Sequence, residues 1–218
     1  MPAVARIDPK DVFTPEEWAR FSKRSSWLGL ICVAGAWTLI FAAGAMFVLW
    51  PNPLTYILAV MLIGARQLGL AILMHDAAHG ALHSNMKVNN WVGEWLCAAP
   101  TGARLNAYRD YHLKHHKYTE QPEDPDLGLS APFPITRASY RRKFLRDLFG
   151  QTGFAQRKAQ LLNALGDPSW PRKQRLAFFR EKLGRQFLVN GLLWAALAAA
   201  GVWWAYPLLW LLPMLTWY

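Results

Sequence analysis

The feature that most constrains this chain is a run of 24 residues, Trp27 to Trp50, without a single charged side chain. As an α-helix rising about 1.5 Å per residue it reaches roughly 36 Å, more than the roughly 30 Å of a bilayer's hydrocarbon core. Tryptophan at both ends matches the aromatic belts of membrane–water interfaces. A cleaved signal peptide does not fit, because the preceding segment is too long and too acidic. The fold expected is all-α and integral to the membrane: transmembrane helices with a cytoplasmic helical cap.

The rest of the chain divides around that run. Residues 1–26 form a polar N-terminal segment in which Thr14-Pro15-Glu16-Glu17 predicts a helix start, with Thr14 as N-cap and Glu17 closing a capping box. Trp18 and Phe21 share one side of that helix. Pro51-Asn52-Pro53 makes a tight turn into a second span over 54–74. Arg66-Gln67 interrupts it, and an arginine at that depth must face the protein interior or reach for an interface. Residues 75–186 carry 18 Lys and Arg against 10 Asp and Glu. A third span is expected over about 187–206, and an incomplete fourth over 207–218, so that 27–218 reads as one multi-pass membrane domain.

The net charge of +10 has its origin in these blocks. Positive charge lies in the N-terminal segment and in 75–186, while the 51–53 turn has none, which places the first two on the cytoplasmic side. Nucleic acid is not needed to explain the basic balance. Within the long loop, 137–149 predicts an amphipathic helix with Arg141, Arg142 and Arg146 opposite Phe144, Leu145, Leu148 and Phe149, suited to a membrane surface. Cys32 and Cys97, the two cysteines, form neither a disulfide framework nor a thiolate metal site.

All six histidines fall between positions 75 and 116. His75 and His79 are four apart, which puts both on one helix face, and His83 continues the same stripe. His112 faces both His115 and His116 on a second helix, and adjacent imidazoles diverge by about 100°, so one group can reach two metal ions. Neutral imidazoles in this number suit first-row transition metals such as iron or zinc. Asp76, Asp110, Glu94, Asp124 and Asp126 are candidates to accept from the outer ring N–H of such ligands.

The strings HDAAHGALH at 75–83 and HLKHHKYTEQPEDPD at 112–126 resemble the membrane fatty acid desaturase superfamily, with its HxxxH box at the end of the second span and its later HxxHH box. The resemblance implies a di-iron enzyme that uses O2 and two electrons to oxidise an unactivated C–H bond of a lipid. It implies His75, His79, His112, His115 and His116 as ligands of two iron ions (Fe2+/Fe3+), with His83 a further candidate. The substrate expected is a fatty acyl chain. The electrons come from an external donor, ferredoxin-like or haem-based, because the chain carries no nucleotide, flavin or haem-attachment motif.

One feature departs from the family pattern. No histidine follows His116, so the third histidine box is missing. The 12 residues of 207–218 reach only about 18 Å. Both features read as a C-terminal truncation, and the chain as given is expected to be inactive. Two alternatives stand beside the acyl desaturase: a carotenoid ketolase or hydroxylase of the same superfamily, and a non-catalytic membrane protein that binds a single metal.

Overall fold

The computed structural model describes residues 7–216. The first six residues of the N-terminal segment and the last two of the fourth apolar run lie outside the described residues. Those described form helices and turns, with no strand among them.

Helix α1 (Pro15–Phe21) starts at the expected capping box, where the Glu17 carboxylate accepts from the Thr14 N–H at 2.9 Å and Thr14 Oγ1 accepts from the Glu17 N–H at 3.3 Å. Phe13 packs on Trp18 and Phe21, which fixes the angle at which the chain enters. Helices α2 (Leu28–Leu49) and α3 (Pro53–Ala78) then form an antiparallel pair. The turn between them is set by Asn52, whose Oδ1 accepts from the N–H groups of Leu54 at 3.0 Å and Thr55 at 3.1 Å.

Both helices are long and apolar enough to cross a membrane, each with a mean hydropathy of 2.1. Their contact is a narrow seam, mostly of small and branched residues: Val33, Ala36, Ile40 and Ala43 on α2, and Ala59, Ile63, Leu70 and Met74 on α3. Spacing of three and four keeps each set on one face, and the alanines let the backbones approach closely. The remaining apolar surface points outward: Leu39, Phe41, Leu49, Ile57, Leu62, Leu68 and Ile72 are all exposed.

Helix α4 (Met86–Val92) runs directly into a π-helical turn, Gly93–Ala98, and α5 (Leu105–Tyr118) follows. A short α6 (Leu127–Ser130) leads to α7 (Arg137–Leu148) and α8 (Gln151–Ala164). Helix α7 is the expected amphipathic helix, and Phe144 on it and Phe149 at its C-cap are exposed.

The third expected span falls partly within a helix that is not among the described helices long and apolar enough to cross a membrane. That helix, α9, runs from Arg172 to Ala199, so it begins 15 residues before the apolar stretch and ends seven before its expected close. Hydropathy marks where a helix becomes apolar, not where it starts. Gly201, with φ 76°, turns the chain out of the helix at its far end.

The fourth apolar run is π-helical over Tyr206–Leu211 and continues as α10 (Leu212–Thr216). Pro207 and Pro213 lack the N–H that a regular α-ladder needs. Gln67, half of the interruption in the second span, ties this run to α3. It is buried and its Nε2 donates to the Trp210 carbonyl at 2.8 Å. Trp210 stacks on Trp37 with ring centres 5.6 Å apart, and its indole N–H donates to Asn190 on α9 at 2.9 Å. Arg66, the other half, is partly buried.

Candidate metal centre

Helix α3 carries His75 one turn before its end, and His79 is its C-cap. Gly80 follows with φ 67°, a left-handed close that a residue with a Cβ would resist. The helix therefore stops before His83, which does not continue the stripe of His75 and His79. His83 Nδ1 instead accepts from the Asn85 N–H at 2.8 Å in the turn before α4, and it joins neither group of clustered side chains described below.

The end of α3 is tied down by groups from elsewhere. Asn89 Nδ2 and Arg109 Nη2 both donate to the Ala77 carbonyl at 2.9 Å, and Arg109 Nε donates to the Ala78 carbonyl at 2.9 Å. These are the last carbonyls of a helix, which have no partner inside it and carry the negative end of its dipole. Arg109 lies on α5, three residues before His112, so one side chain locks the two histidine-bearing helices together.

The start of α5 is held in a complementary way. Glu94, in the π-helical turn, is buried, and its carboxylate accepts from the Leu105 N–H at 2.8 Å and from Arg185 at 2.9 Å. A carboxylate at a helix N-terminus satisfies an open N–H and the positive end of the dipole. The turn reaches this place by close approach, since a Cβ on Gly93 would meet Ala77 Cβ at 2.4 Å. Glu94 is thus an anchor of α5 and not a partner of an imidazole.

These ties bring four histidines together. The ring nitrogens of His75, His79, His112 and His116 lie within 4.8 Å of one another. Nε2 of His112 is 2.9 Å from Nε2 of both His79 and His116. Metal–nitrogen bonds of about 2.0–2.1 Å in a tetrahedron put such atoms about 3.3 Å apart, a separation that lies between the 2.9 Å of the closest pairs and the 4.8 Å limit of the group. Tyr108 stacks on the His112 ring at 5.1 Å and an interplanar angle of 11°, fixing the ring's plane.

His115 points into a second group, with Asp124 and Asp126. Its Nδ1–H donates to Asp124 Oδ1 at 2.8 Å, and Asp126 Oδ2 is 3.4 Å away. Asp124 is buried and also accepts from the backbone N–H groups of Glu120 at 2.9 Å and Asp126 at 2.8 Å. With Nδ1 so engaged, Nε2 is the nitrogen left to bind an ion. Asp76 takes the corresponding place beside His75, accepting from Nδ1–H at 3.2 Å. Asp110 is exposed and belongs to neither group.

The electrostatics favour the neutral, binding form of two members of the first group. Burial, then the neighbouring imidazoles, pushes the pKa of His112 down to about 4, and burial and the same neighbours lower that of His79. His115 moves the other way, raised first by its hydrogen bond to Asp124. Burial works against the Asp124 carboxylate, but the hydrogen bonds from His115 and the two backbone N–H groups outweigh it and hold its pKa below the usual range. Tyr111, hydrogen-bonded to Asp126, is pushed up to about 12, which keeps its hydroxyl a donor.

Arg109, Asn89 and Tyr108 carry no sequence signal as site residues. In retrospect, spacing marks two of them: Arg109 and Tyr108 stand three and four residues before His112, on the same helix face.

Comparison with known proteins agrees with this geometry. Residues 51–218 match the family described as Fatty acid desaturase, and the chain belongs to that family. It is 32% identical over 197 residues to a dihydrorhizobitoxine desaturase of Bradyrhizobium elkanii, an alignment covering 87% of this chain and 55% of the relative. The chain therefore spans about half the length of this curated relative. No solved structure matches it.

Proposed function

We propose that this chain is the histidine-bearing part of a membrane-bound di-iron oxidoreductase that desaturates a fatty acyl chain with O2 and two electrons from an external donor. The observation that carries the reading is the convergence of His75, His79, His112 and His116 within 4.8 Å, beside a His115 oriented by Asp124. A donor set of neutral imidazoles with outer carboxylate partners fits first-row metals, iron among them.

In this reading His75, His79, His112 and His116 hold one part of the iron pair, and His115 reaches the other. Iron bound there supplies the oxidising power, drawn from O2, that removes hydrogen from an unactivated C–H bond. The chain's own residues hold the donors still: Asp124 and Asp76 fix the ring tautomers, Arg109 and Glu94 fix the helices, and Tyr108 fixes the plane of His112. Their rigidity sets which carbon lies against the metals.

Membrane integration is supported by the outward-facing apolar surface of α2 and α3, of which only 22% and 33% of the most apolar windows is buried within the protein. A core helix of a soluble protein hides such a surface. The lysines and arginines of the N-terminal segment and of the basic 75–186 region favour a cytoplasmic site. The relative is named for dihydrorhizobitoxine, not for a fatty acid, so substrate choice within the family is a matter for experiment.

The test is oxidation of a saturated acyl substrate by the iron-loaded full-length protein that contains this chain, in lipid, supplied with a reduced ferredoxin and O2; the 218-residue chain alone is expected to give no product. The expected result is a product lighter by two hydrogens, with O2 consumed in step. Stoichiometric metal binding without O2 uptake would instead assign the chain to non-catalytic metal binding. Gain of oxygen by a carotenoid substrate would move it to the ketolase and hydroxylase branch.

A further inference from the structure

A cavity of about 540 Å3 lies between the segment that enters α2 and the turn that follows α3, and His79 and Asp76 form part of its wall. Lys23 and Arg24 bring charge to it, Phe21, Leu28 and Leu73 an apolar lining, and Cys32 a thiol. The wall is firmly joined. Ser26 Oγ and Ser84 Oγ are 2.5 Å apart, and a Cβ on Gly29 would meet the Leu82 carbonyl oxygen at 2.1 Å. Only glycine lets the start of α2 come this close to the turn.

Among the described residues no ion pair involves Lys23 or Arg24. The Arg24 guanidinium contacts the soft acceptor Met86 Sδ at 3.9 Å. Near His79, the Asp76 carboxylate supplies the opposite sign. A molecule with a negative group at one end is thereby drawn to Lys23 and Arg24 and repelled from the Asp76 end, which leaves its neutral body toward His79.

We propose that this cavity is the approach to the metal centre and that Lys23 and Arg24 bind a carboxylate or phosphate on the substrate. Arginine offers a planar fork that matches either anion, and lysine adds a mobile point charge beside it. The substrate is then an anionic amphiphile whose apolar part lies along Phe21, Leu28 and Leu73. The inference rests on the metal-centre reading for its meaning, but binding at this cavity is measurable without metal, so the two fail separately.

Cys32 is a built-in reporter, because it is exposed in the cavity wall while Cys97 is buried. Metal-free protein in phosphatidylcholine nanodiscs is treated with N-ethylmaleimide, and modification of each cysteine is followed by mass spectrometry. Hexanoate and hexyl phosphate are expected to slow modification of Cys32, and hexanol at the same concentration to leave it unchanged. The double variant Lys23→Gln/Arg24→Gln is expected to lose the protection while its Cys32 reacts at the unprotected wild-type rate. Equal protection by hexanol and hexanoate, or protection that survives in the double variant, overturns the proposal. So does protection that appears only when phosphatidylglycerol is added to the discs, which would assign the cations to lipid headgroups.

Discussion

His115 donates from Nδ1 to the buried Asp124 carboxylate across 2.8 Å. The bond fixes the tautomer of the imidazole, turns Nε2 outward, and leaves Asp124 with all its strong donors from one short stretch of chain, Glu120 to Asp126, and from His115. Asp124→Asn keeps the shape and removes the charge. Loss of an outer carboxylate partner lowers metal affinity by about 10- to 100-fold, and a competition titration against a chelator reads it. Unchanged affinity would show that His115 is not held for a metal.

Arg109 joins the two histidine helices by donating to the Ala77 and Ala78 carbonyls and to Asn90 Oδ1. Arg109→Gln takes from the Ala78 carbonyl its side-chain donor and from the Ala77 carbonyl one of two, Asn89 remaining, at a cost of about 1–3 kcal/mol. The variant is expected to unfold at lower temperature and to bind metal more weakly. Normal metal binding by a destabilised Arg109→Gln protein would mean that the cluster does not depend on this tie.

Gly93 lies where a Cβ would stand 2.4 Å from Ala77 Cβ. Gly93→Ala is expected to cost about 1–3 kcal/mol through overpacking, read as a lowered thermal midpoint. Adding Ala77→Gly removes the opposing atom and is expected to restore part of the loss. A double variant no better than Gly93→Ala would place the strain elsewhere.

Acid affects the metal-free cluster through His79 and His112. The folded protein holds His112 near 4, below the ordinary 6.5, so it binds fewer protons than the unfolded chain within that window. Stability therefore falls as pH drops from 6.5 toward 4. His115 has the opposite sign: its raised pKa contributes fully below 6.5, and that contribution is lost as pH rises through the folded value. The lowered Asp124 pKa contributes above the ordinary 3.8 and is lost below it. The thermal midpoint of metal-free protein is thus expected to be highest near pH 6.5 and to fall on the acid side less steeply in His112→Asn. A midpoint that climbs from pH 6.5 to 4 would contradict the assignment.

The sequence was most legible where structure is local. The spacing of His75 with His79, and of His112 with His116, requires only a helix, and both pairs meet as their spacing implies. Thr14 caps its helix for the same reason. Where contacts are distant in sequence, the reading stopped short. Glu94 has the composition of an outer partner for a histidine, yet the π-helical turn delivers it to the start of α5, a consequence of Gly93 meeting Ala77. His83 was misplaced because periodicity extends a helix past a glycine that ends it. Hydropathy marks the apolar half of α9 from Phe187 and is silent on its charged first half, since charge on an exposed helical face does not interrupt a helix.

The central claim, that the histidine cluster binds iron, is tested most directly by metal analysis of purified wild-type protein and His112→Ala after loading with Fe2+ in the absence of O2. His112 stands between His79 and His116, 2.9 Å from each, so its loss removes the donor that both share. The account predicts bound iron in the wild type and its loss in His112→Ala, with secondary structure retained. Equal iron in the two proteins, or a wild type that takes up zinc and no iron, would contradict it.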